Sequence, residues 1–274
     1  MKKIKYIMTL TLLIVLFSQG VWAGKNTYKY PMSFFWKART AKTVGYKHLS
    51  VALKLGDYKC DEVCDANGNY SELKPGEKFE SFVSVATAKY GWRKDHHLAL
   101  GVPYIWTEFE SSKKRIDENG FGNIFVFEKW QFVKETDTAP AFALDAWYFF
   151  PSGDTANKIG SDDDSVKIAA ELSKAYGAFS FHLNPGYIYN LSGGSNIHTH
   201  NAGIFWHAHP KLLPAVEYNY IDKEGKGHKH SVIPGLVWRF AKGCSAKLAL
   251  NITADTTMKY KDDVSVAAKI FKRF

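Results

Sequence analysis

The last eleven residues of the chain, Val264-Ser-Val-Ala-Ala-Lys-Ile-Phe-Lys-Arg-Phe274, alternate between two kinds of side chain. Counting back from Phe274, every second residue is apolar except Lys272, whereas the residues between them are mixed and basic. A period of two indicates a β-strand with different surroundings on its two faces. Such a strand fits either the closing strand of a transmembrane β-barrel or the edge of a soluble sheet, so the rest of the chain must distinguish the two.

Eleven earlier segments show the same alternation, and with the last one they predict twelve strands. The predicted strands cover 46–55, 79–90, 98–104, 122–133, 141–151, 166–173, 179–184, 201–209, 213–222, 230–240, 245–254 and 264–274. Long and short connections alternate between them, as in an up-and-down barrel with long outer loops and short periplasmic turns. We therefore predict an all-β fold: a transmembrane antiparallel up-and-down β-barrel over 46–274, with both termini in the periplasm.

The N-terminus has the features of a secretory signal peptide. Three lysines among the first five residues precede the apolar run 7–17, and Val21 and Ala23 supply the small side chains of a cleavage site. The apolar run is shorter than the roughly 20 residues that a membrane helix needs. We predict a cleaved signal peptide over 1–23, and an N-terminal segment over 24–45 that lies in the periplasm or in the barrel lumen.

Composition supports a location in the bacterial outer membrane. Aromatic residues make up 15% of the chain. The mean hydropathy of −0.26 does not argue against a barrel, because a barrel confines its apolar residues to alternate positions. The formal charge is +9, but no run of Lys and Arg interleaved with aromatics indicates a nucleic-acid partner. The expected partners are outer-membrane lipids and lipopolysaccharide, the barrel-insertion machinery acting on the C-terminal strand, and small hydrophobic or aromatic solutes.

The charged residues within the predicted strands should face the lumen, because a Lys or Arg facing lipid at mid-membrane costs about 2–4 kcal/mol. These residues are Asp145, Lys167, Glu171, Glu217, Arg239, Lys247 and Lys269. Glu128 breaks the scheme, since it lies on the face opposite Lys129 and Gln131. Either one polar side of that strand faces outward or a bulge intervenes.

Six of the predicted lumenal side chains are candidates for contact with a solute. They are Asp145, Trp147, Glu171, Asn184, Glu217 and Arg239. The charged members would pair across the interior or set an electrostatic path, and the indole of Trp147 would stack on an apolar or aromatic solute. The alternative interpretation is a polar network with a purely structural role.

Cysteine and histidine offer two further hypotheses. Cys60 and Cys64 lie among turn residues, where an oxidising compartment would allow a local disulfide, and Cys244 is predicted to be a packed thiol. Three histidine pairs each place two imidazoles on one strand face, as zinc and copper sites do. The pairs are His198/His200, His207/His209 and His228/His230, the first and third on the extracellular side. No Cys or carboxylate stands at ligand spacing from them, so we predict solvated histidines and no cofactor.

Several short motifs, in order along the chain, are similar to those of an outer-membrane family named after the meta-pathway of phenol degradation. They are Asp65-Ala-Asn-Gly-Asn69, Ala88-Lys-Tyr-Gly91, Leu100-Gly-Val-Pro-Tyr104, Gly120-Phe-Gly-Asn123, Tyr148-Phe-Phe-Pro-Ser-Gly-Asp154, Asn184-Pro-Gly-Tyr187 and the terminal Phe274. Asn123 replaces the family's usual acid, and Phe150-Pro-Ser-Gly153 replaces Leu-Pro-Thr-Gly. The resemblance implies an outer-membrane barrel that passes hydrophobic or aromatic compounds, and it supplies no catalytic residues.

Three functions follow as hypotheses from these patterns. The first is a passive channel for small hydrophobic or aromatic compounds, and the second is a structural or surface-interaction barrel with a blocked lumen. The third is an outer-membrane lipid hydrolase, for which Ser173 and His182 stand on adjacent predicted strands. No Gly-x-Ser-x-Gly signature supports the hydrolase, so we predict no catalytic residues and no enzymatic activity.

Overall fold

A computed structural model describes residues 37–60, 62–64, 70–111, 114–155, 159–258 and 260–274. The predicted signal peptide, residues 24–36 of the N-terminal segment and the motif at 65–69 lie outside the described residues. No helix within the described ranges is long and apolar enough to cross a membrane.

The described residues form sixteen strands and no helix. They are β1 (Leu49–Cys60), β2 (Glu62–Cys64), β3 (Tyr70–Glu72), β4 (Lys78–Arg93), β5 (His96–Ser111), β6 (Lys114–Phe121), β7 (Phe125–Val133), β8 (Ala141–Phe149), β9 (Ser165–Tyr176), β10 (Phe179–Asn190), β11 (Ile197–Trp206), β12 (Leu212–Lys223), β13 (Gly227–Ala241), β14 (Cys244–Thr256), β15 (Tyr260–Lys261) and β16 (Val264–Arg273).

Twelve of these strands close into an antiparallel barrel. The ring runs β1-β4-β5-β7-β8-β9-β10-β11-β12-β13-β14-β16 and returns to β1. At the seam Leu53 pairs with Ile270 and Leu55 with Ala268, and the Phe274 amide donates to the Leu49 carbonyl at 2.8 Å. The predicted fold class, strand number and closure by the C-terminal strand are confirmed. The end with the short turns is the periplasmic end of this topology.

Side chains alternate between the lumen and the outer face as the sequence predicts. On β16, Ser265 and Ala267 are buried inside, whereas Val264 and Val266 are exposed outside. The same alternation gives the barrel an outward apolar surface, which includes Leu98, Leu100, Ile168, Leu183, Ile204, Val216, Leu236, Trp238, Leu248 and Leu250. An outward apolar band with a polar interior is the pattern of a transmembrane barrel.

The long loops contain more regular structure than the sequence pattern indicates. β6 extends the β5 hairpin beyond the ring, with Tyr104 opposite Phe121. β15, β2 and β3 form a separate small sheet at the extracellular end. β2, β3 and β15 were not predicted, because two or three residues are too few to show a period of two. β6 was not predicted either, and it falls between the predicted strands 98–104 and 122–133.

The structure resolves the conflict on β7 by turning Glu128 outward and Lys129 and Gln131 inward. Glu128 Oε1 lies 2.8 Å from Nδ1 of His96, which stands two residues before Leu98, the cross-strand partner of Glu128 on β5. Trp92 and Trp130 flank the His96 ring, with centroids 5.2 and 5.1 Å away. The outward carboxylate is therefore paired and screened by aromatic rings rather than left alone on the lipid-facing surface.

Candidate functional site

The chain segment before β1 runs inside the lumen. The backbone amides of Lys37 and Ala38 donate to Glu217 Oε2 at 2.7 and 3.1 Å, and the Ala41 amide donates to Ser173 Oγ at 2.8 Å. Nearer the periplasmic mouth, the Val44 amide meets His97 Nδ1 at 3.3 Å. Residues 37–44, called the lumenal segment below, thus extend from mid-barrel to the periplasmic end and use wall side chains as backbone partners.

Apolar contacts fix the lumenal segment as well. Ala38 is buried in a cluster with wall residues of five strands, among them Phe205, Leu213 and Val237. Ala41 packs on Ala141 and Ala143 of β8. Since Ala38, Thr40 and Ala41 are each at most 1% exposed, this end of the lumen is filled by packed side chains.

Arg39 is the central charged residue of the lumenal segment. Its Nη1 donates to Asp145 Oδ2 at 2.6 Å and lies 4.0 Å from Glu171 Oε1. Lys129 reaches the same two acids, with a hydrogen bond to Glu171, and it also donates to the Thr40 carbonyl at 2.6 Å. Two cations and two carboxylates therefore form one buried network, in which each charge has an opposite partner.

An aromatic ladder lines the lumen on the extracellular side of this network. Phe127 and Trp147 stack with centroids 3.9 Å apart and planes at 15°, and Phe125 and Phe149 continue the ladder toward the outer mouth. Phe125 lies against Gly101, where a β-carbon would come within 2.0 Å of the ring. The close packing of the ladder thus depends on Gly101 of β5, which belongs to the motif Leu100-Gly-Val-Pro-Tyr104.

Cations surround the ladder. The Arg39 guanidinium carbon lies 4.0 Å from the Trp147 ring centroid and 4.6 Å from that of Phe127. Lys89 Nζ is 5.3 Å from Phe127, and Lys167 Nζ is 5.8 Å from Trp147. These distances are in the range of cation–π attraction, so the basic side chains lie against the faces of the aromatic rings.

A row of three lysines lies on the neighbouring strands β1, β16 and β14. Lys54 pairs across strands with Lys269, and Lys269 pairs with Lys247. Lys247 is hydrogen-bonded to Glu217, both being fully buried. Like charges side by side on one sheet face are destabilising, and Glu217 offsets this row through its hydrogen bond with Lys247.

Two family motifs meet above the aromatic ladder. Asn123 Oδ1 accepts from the amides of Gly153 and Ser161 at 3.2 and 3.0 Å, and its Nδ2 donates to the Ser161 carbonyl at 3.1 Å. A β-carbon on Gly153 would come within 2.4 Å of Gly160. The amide in place of the family's acid therefore supplies both a donor and an acceptor, which hold the loop after β8 at the outer mouth.

The predicted solute residues fall into three groups. Asp145, Trp147 and Glu171 surround Arg39, whereas Asn184 and Glu217 hold the backbone of the lumenal segment. Arg239 stands apart near the periplasmic turn, where its Nη1 contacts the Pro210 carbonyl at 3.4 Å. The contact of any of them with a solute stays a prediction. Sequence reasoning missed Arg39, Phe127 and Lys129 as site residues.

The cysteine and hydrolase hypotheses can be compared with the geometry. Cys60, Cys64 and Cys244 are present as thiols, and the bond between the first two stays a prediction. Ser173 Oγ lies 2.8 Å from His182 Nδ1, but the other ring nitrogen lies 3.3 Å from Ser180 Oγ. A hydroxyl thus stands where an acyl-transfer triad has its acid.

Comparison with known proteins places the chain in a family. The sequence profile of the family described as "Putative MetA-pathway of phenol degradation" matches residues 61–261. The chain belongs to this family. No protein with a curated description matches the chain.

Three solved structures are similar in fold to this chain. An outer membrane channel from Pseudomonas putida F1 has a TM-score of 0.69 at 12% identity, over 85% of this chain and 98% of that one. The NanC porin has a TM-score of 0.53 at 11% identity, over 82% and 98% of the two chains. The KdgM porin has a TM-score of 0.51 at 8% identity, over 82% and 99%. At these identities the likeness establishes the fold.

Proposed function

We propose that this protein is a passive outer-membrane channel for small aromatic compounds, and that aromatic carboxylates suit its lumen best. The observation that carries the proposal is the Phe127–Trp147 stack with Arg39, Lys89 and Lys167 over its faces. A flat ring finds stacking partners in the ladder. A carboxylate finds cations within the same space. The three basic residues around the ladder and the three lysines of the row outnumber the acids Asp145, Glu171 and Glu217.

An unsatisfied polar atom supports a wet or solute-binding site at the same place. Trp147 Nε1 is buried and has no hydrogen-bond partner among the described residues. Buried polar atoms are normally paired, so water or a polar group of a solute would meet it. The lumenal segment lies on the periplasmic side of this site, and passage requires it to move or to leave a narrow path.

The cellular placement is part of the proposal. The signal-like residues 1–23 would direct export, and the C-terminal strand ending in Phe274 would engage the barrel-insertion machinery. The outward apolar band would contact outer-membrane lipids and lipopolysaccharide. We propose no enzymatic activity for two reasons. The second ring nitrogen of His182 contacts the Ser180 hydroxyl instead of an acid, and the Ser173 hydroxyl oxygen already accepts a hydrogen bond from the Ala41 amide.

Flux through reconstituted protein tests the channel. In liposome swelling assays we expect benzoate, at a pH well above its pKa, to enter faster than cyclohexanecarboxylate, which carries the same charge without a π-system. In planar bilayers the positive lumen predicts a reversal potential that indicates anion selectivity. If neither swelling nor conductance exceeds that of empty membranes, the barrel is blocked and its role is structural.

Replacing Trp147 by alanine is expected to weaken the preference for aromatic anions. The change removes ring stacking worth about 0.5–1.5 kcal/mol, so the benzoate affinity should fall by up to about tenfold. Competition of benzoate with ion current measures the affinity. Trp206→Ala, which removes an exposed indole on the outer face, is the matched control and should leave the current block unchanged. Equal block in wild type and Trp147→Ala would exclude the ladder as the site.

A further inference from the structure

A second cluster of polar side chains lies outside the lumen, on the outward face near the extracellular rim. His228 and His230 share one face of β13, and Asp255 stands beside them on β14. One nitrogen or oxygen from each of the three lies within 4.8 Å of the others. His228 Nε2 is 3.3 Å from Asp255 Oδ2.

Asp255 reaches this face because the β13–β14 ladder contains a bulge. Ser231 pairs with Thr253, but the preceding residue His230 pairs with Asp255, so Ala254 is the extra residue. Regular alternation from the outward Ile252 would have turned Asp255 toward the lumen. The bulge re-aims the side chain and supplies the carboxylate that the two histidines lack at ligand spacing in the sequence.

Hydroxyl groups occupy one nitrogen of each imidazole. Thr257 Oγ1 lies 3.3 Å from His228 Nδ1, and Tyr218 Oη lies 2.5 Å from His230 Nδ1. The Tyr220 ring packs against both imidazoles, with centroids 6.2 and 4.6 Å away. With Nδ1 engaged in each ring, Nε2 is the remaining ligand atom, which is how outer-shell hydrogen bonds orient histidine ligands in metal sites.

We propose that His228, His230 and Asp255 bind a divalent transition-metal ion, with Zn²⁺ as the best match. Two imidazoles and one carboxylate form a three-ligand zinc site whose fourth position takes water or another donor. Imidazole ligands select against Ca²⁺ and Mg²⁺, which prefer oxygen. The bound ion would tie β13 to β14 at the point where the bulge interrupts their hydrogen-bonded ladder.

Zinc binding to the detergent-solubilised protein, purified through a tag that contains no histidine, tests the proposal. In titration calorimetry we expect wild-type protein to bind Zn²⁺ and Asp255→Asn and His228→Gln to lose the binding. Tyr218→Phe keeps the ligands and removes only the hydroxyl that orients His230, so its affinity should fall by about ten- to a hundredfold. Zn²⁺ should raise the thermal unfolding temperature of the wild type, whereas Mg²⁺ should not.

Two histidine variants elsewhere serve as controls. His209→Gln removes an exposed imidazole at the periplasmic end and should bind Zn²⁺ like the wild type. His200→Gln removes the imidazole that stacks on the other side of Tyr220 and should also retain binding. Wild-type affinity in Asp255→Asn, or a loss in His200→Gln as large as in His228→Gln, would overturn the assignment, because the ion would then be held by other residues.

Discussion

Deleting residues 37–44 is expected to raise the single-channel conductance several-fold. The lumenal segment fills the periplasmic end of the barrel with buried backbone, and Ala38 and Ala41 pack on the wall. Its removal leaves the wall carboxylates and Asn184 in contact with water, and water and ions can then occupy the space. Planar-bilayer recording of the deletion variant beside the wild type measures the change. Equal conductance in the two would mean that the segment does not limit ion flow.

A tether provides the opposite arm of the same experiment. Ala41 lies against Ser173, whose Oγ accepts the Ala41 amide at 2.8 Å, so a double variant Ala41→Cys, Ser173→Cys can link the segment to β9. If movement of the segment opens the path, the oxidised variant should conduct less than the wild type, and reduction should restore the current. The Ser173→Cys single variant, under the same oxidation, controls for the loss of the hydroxyl.

The barrel was predictable because lipid imposes one rule on every strand. A Lys or Arg facing hydrocarbon costs about 2–4 kcal/mol, and an acid costs less, so inward and outward positions differ in kind. The alternation from Val264 to Ile270 records this difference. The same rule placed Asp145, Glu171 and Glu217 inside, where all three are fully buried. It does not apply beyond the membrane, which is why β2, β3 and β15 left no readable pattern.

The centre of the site was not predictable by that rule. Arg39 belongs to a segment without strand periodicity, and only the folded barrel shows that its guanidinium reaches Asp145 and the Trp147 ring. Asp255 illustrates a second limit. Regular alternation counted from the outward Ile252 places the Asp255 side chain in the lumen. One bulged residue turns it to the outer face instead. Local insertions of this kind have no signal in a single sequence.

Replacing Glu217 by alanine is expected to be the most destabilising single change in the lumen. Its two carboxylate oxygens accept the Lys247 ammonium and the amides of Lys37 and Ala38. Removing one partner of a buried ion pair costs about 3–5 kcal/mol, because the remaining charge stays buried without compensation. Here the remaining charge also lies beside Lys269 and one strand from Lys54. Urea unfolding in detergent, followed by tryptophan fluorescence, measures the loss.

The reverse change separates the ion pair from its surroundings. Lys247→Met removes the cation but leaves Glu217 with two backbone donors and a neighbouring lysine row, so it should destabilise less than Glu217→Ala. The double variant Glu217→Met, Lys247→Met takes away both charges and should recover part of the loss, since apolar replacement of a buried pair is often neutral or stabilising. If Lys247→Met proves the more damaging single variant, the excess positive charge of the lumen is not what makes Glu217 necessary, and the electrostatic basis for a preference for anionic solutes loses its main support.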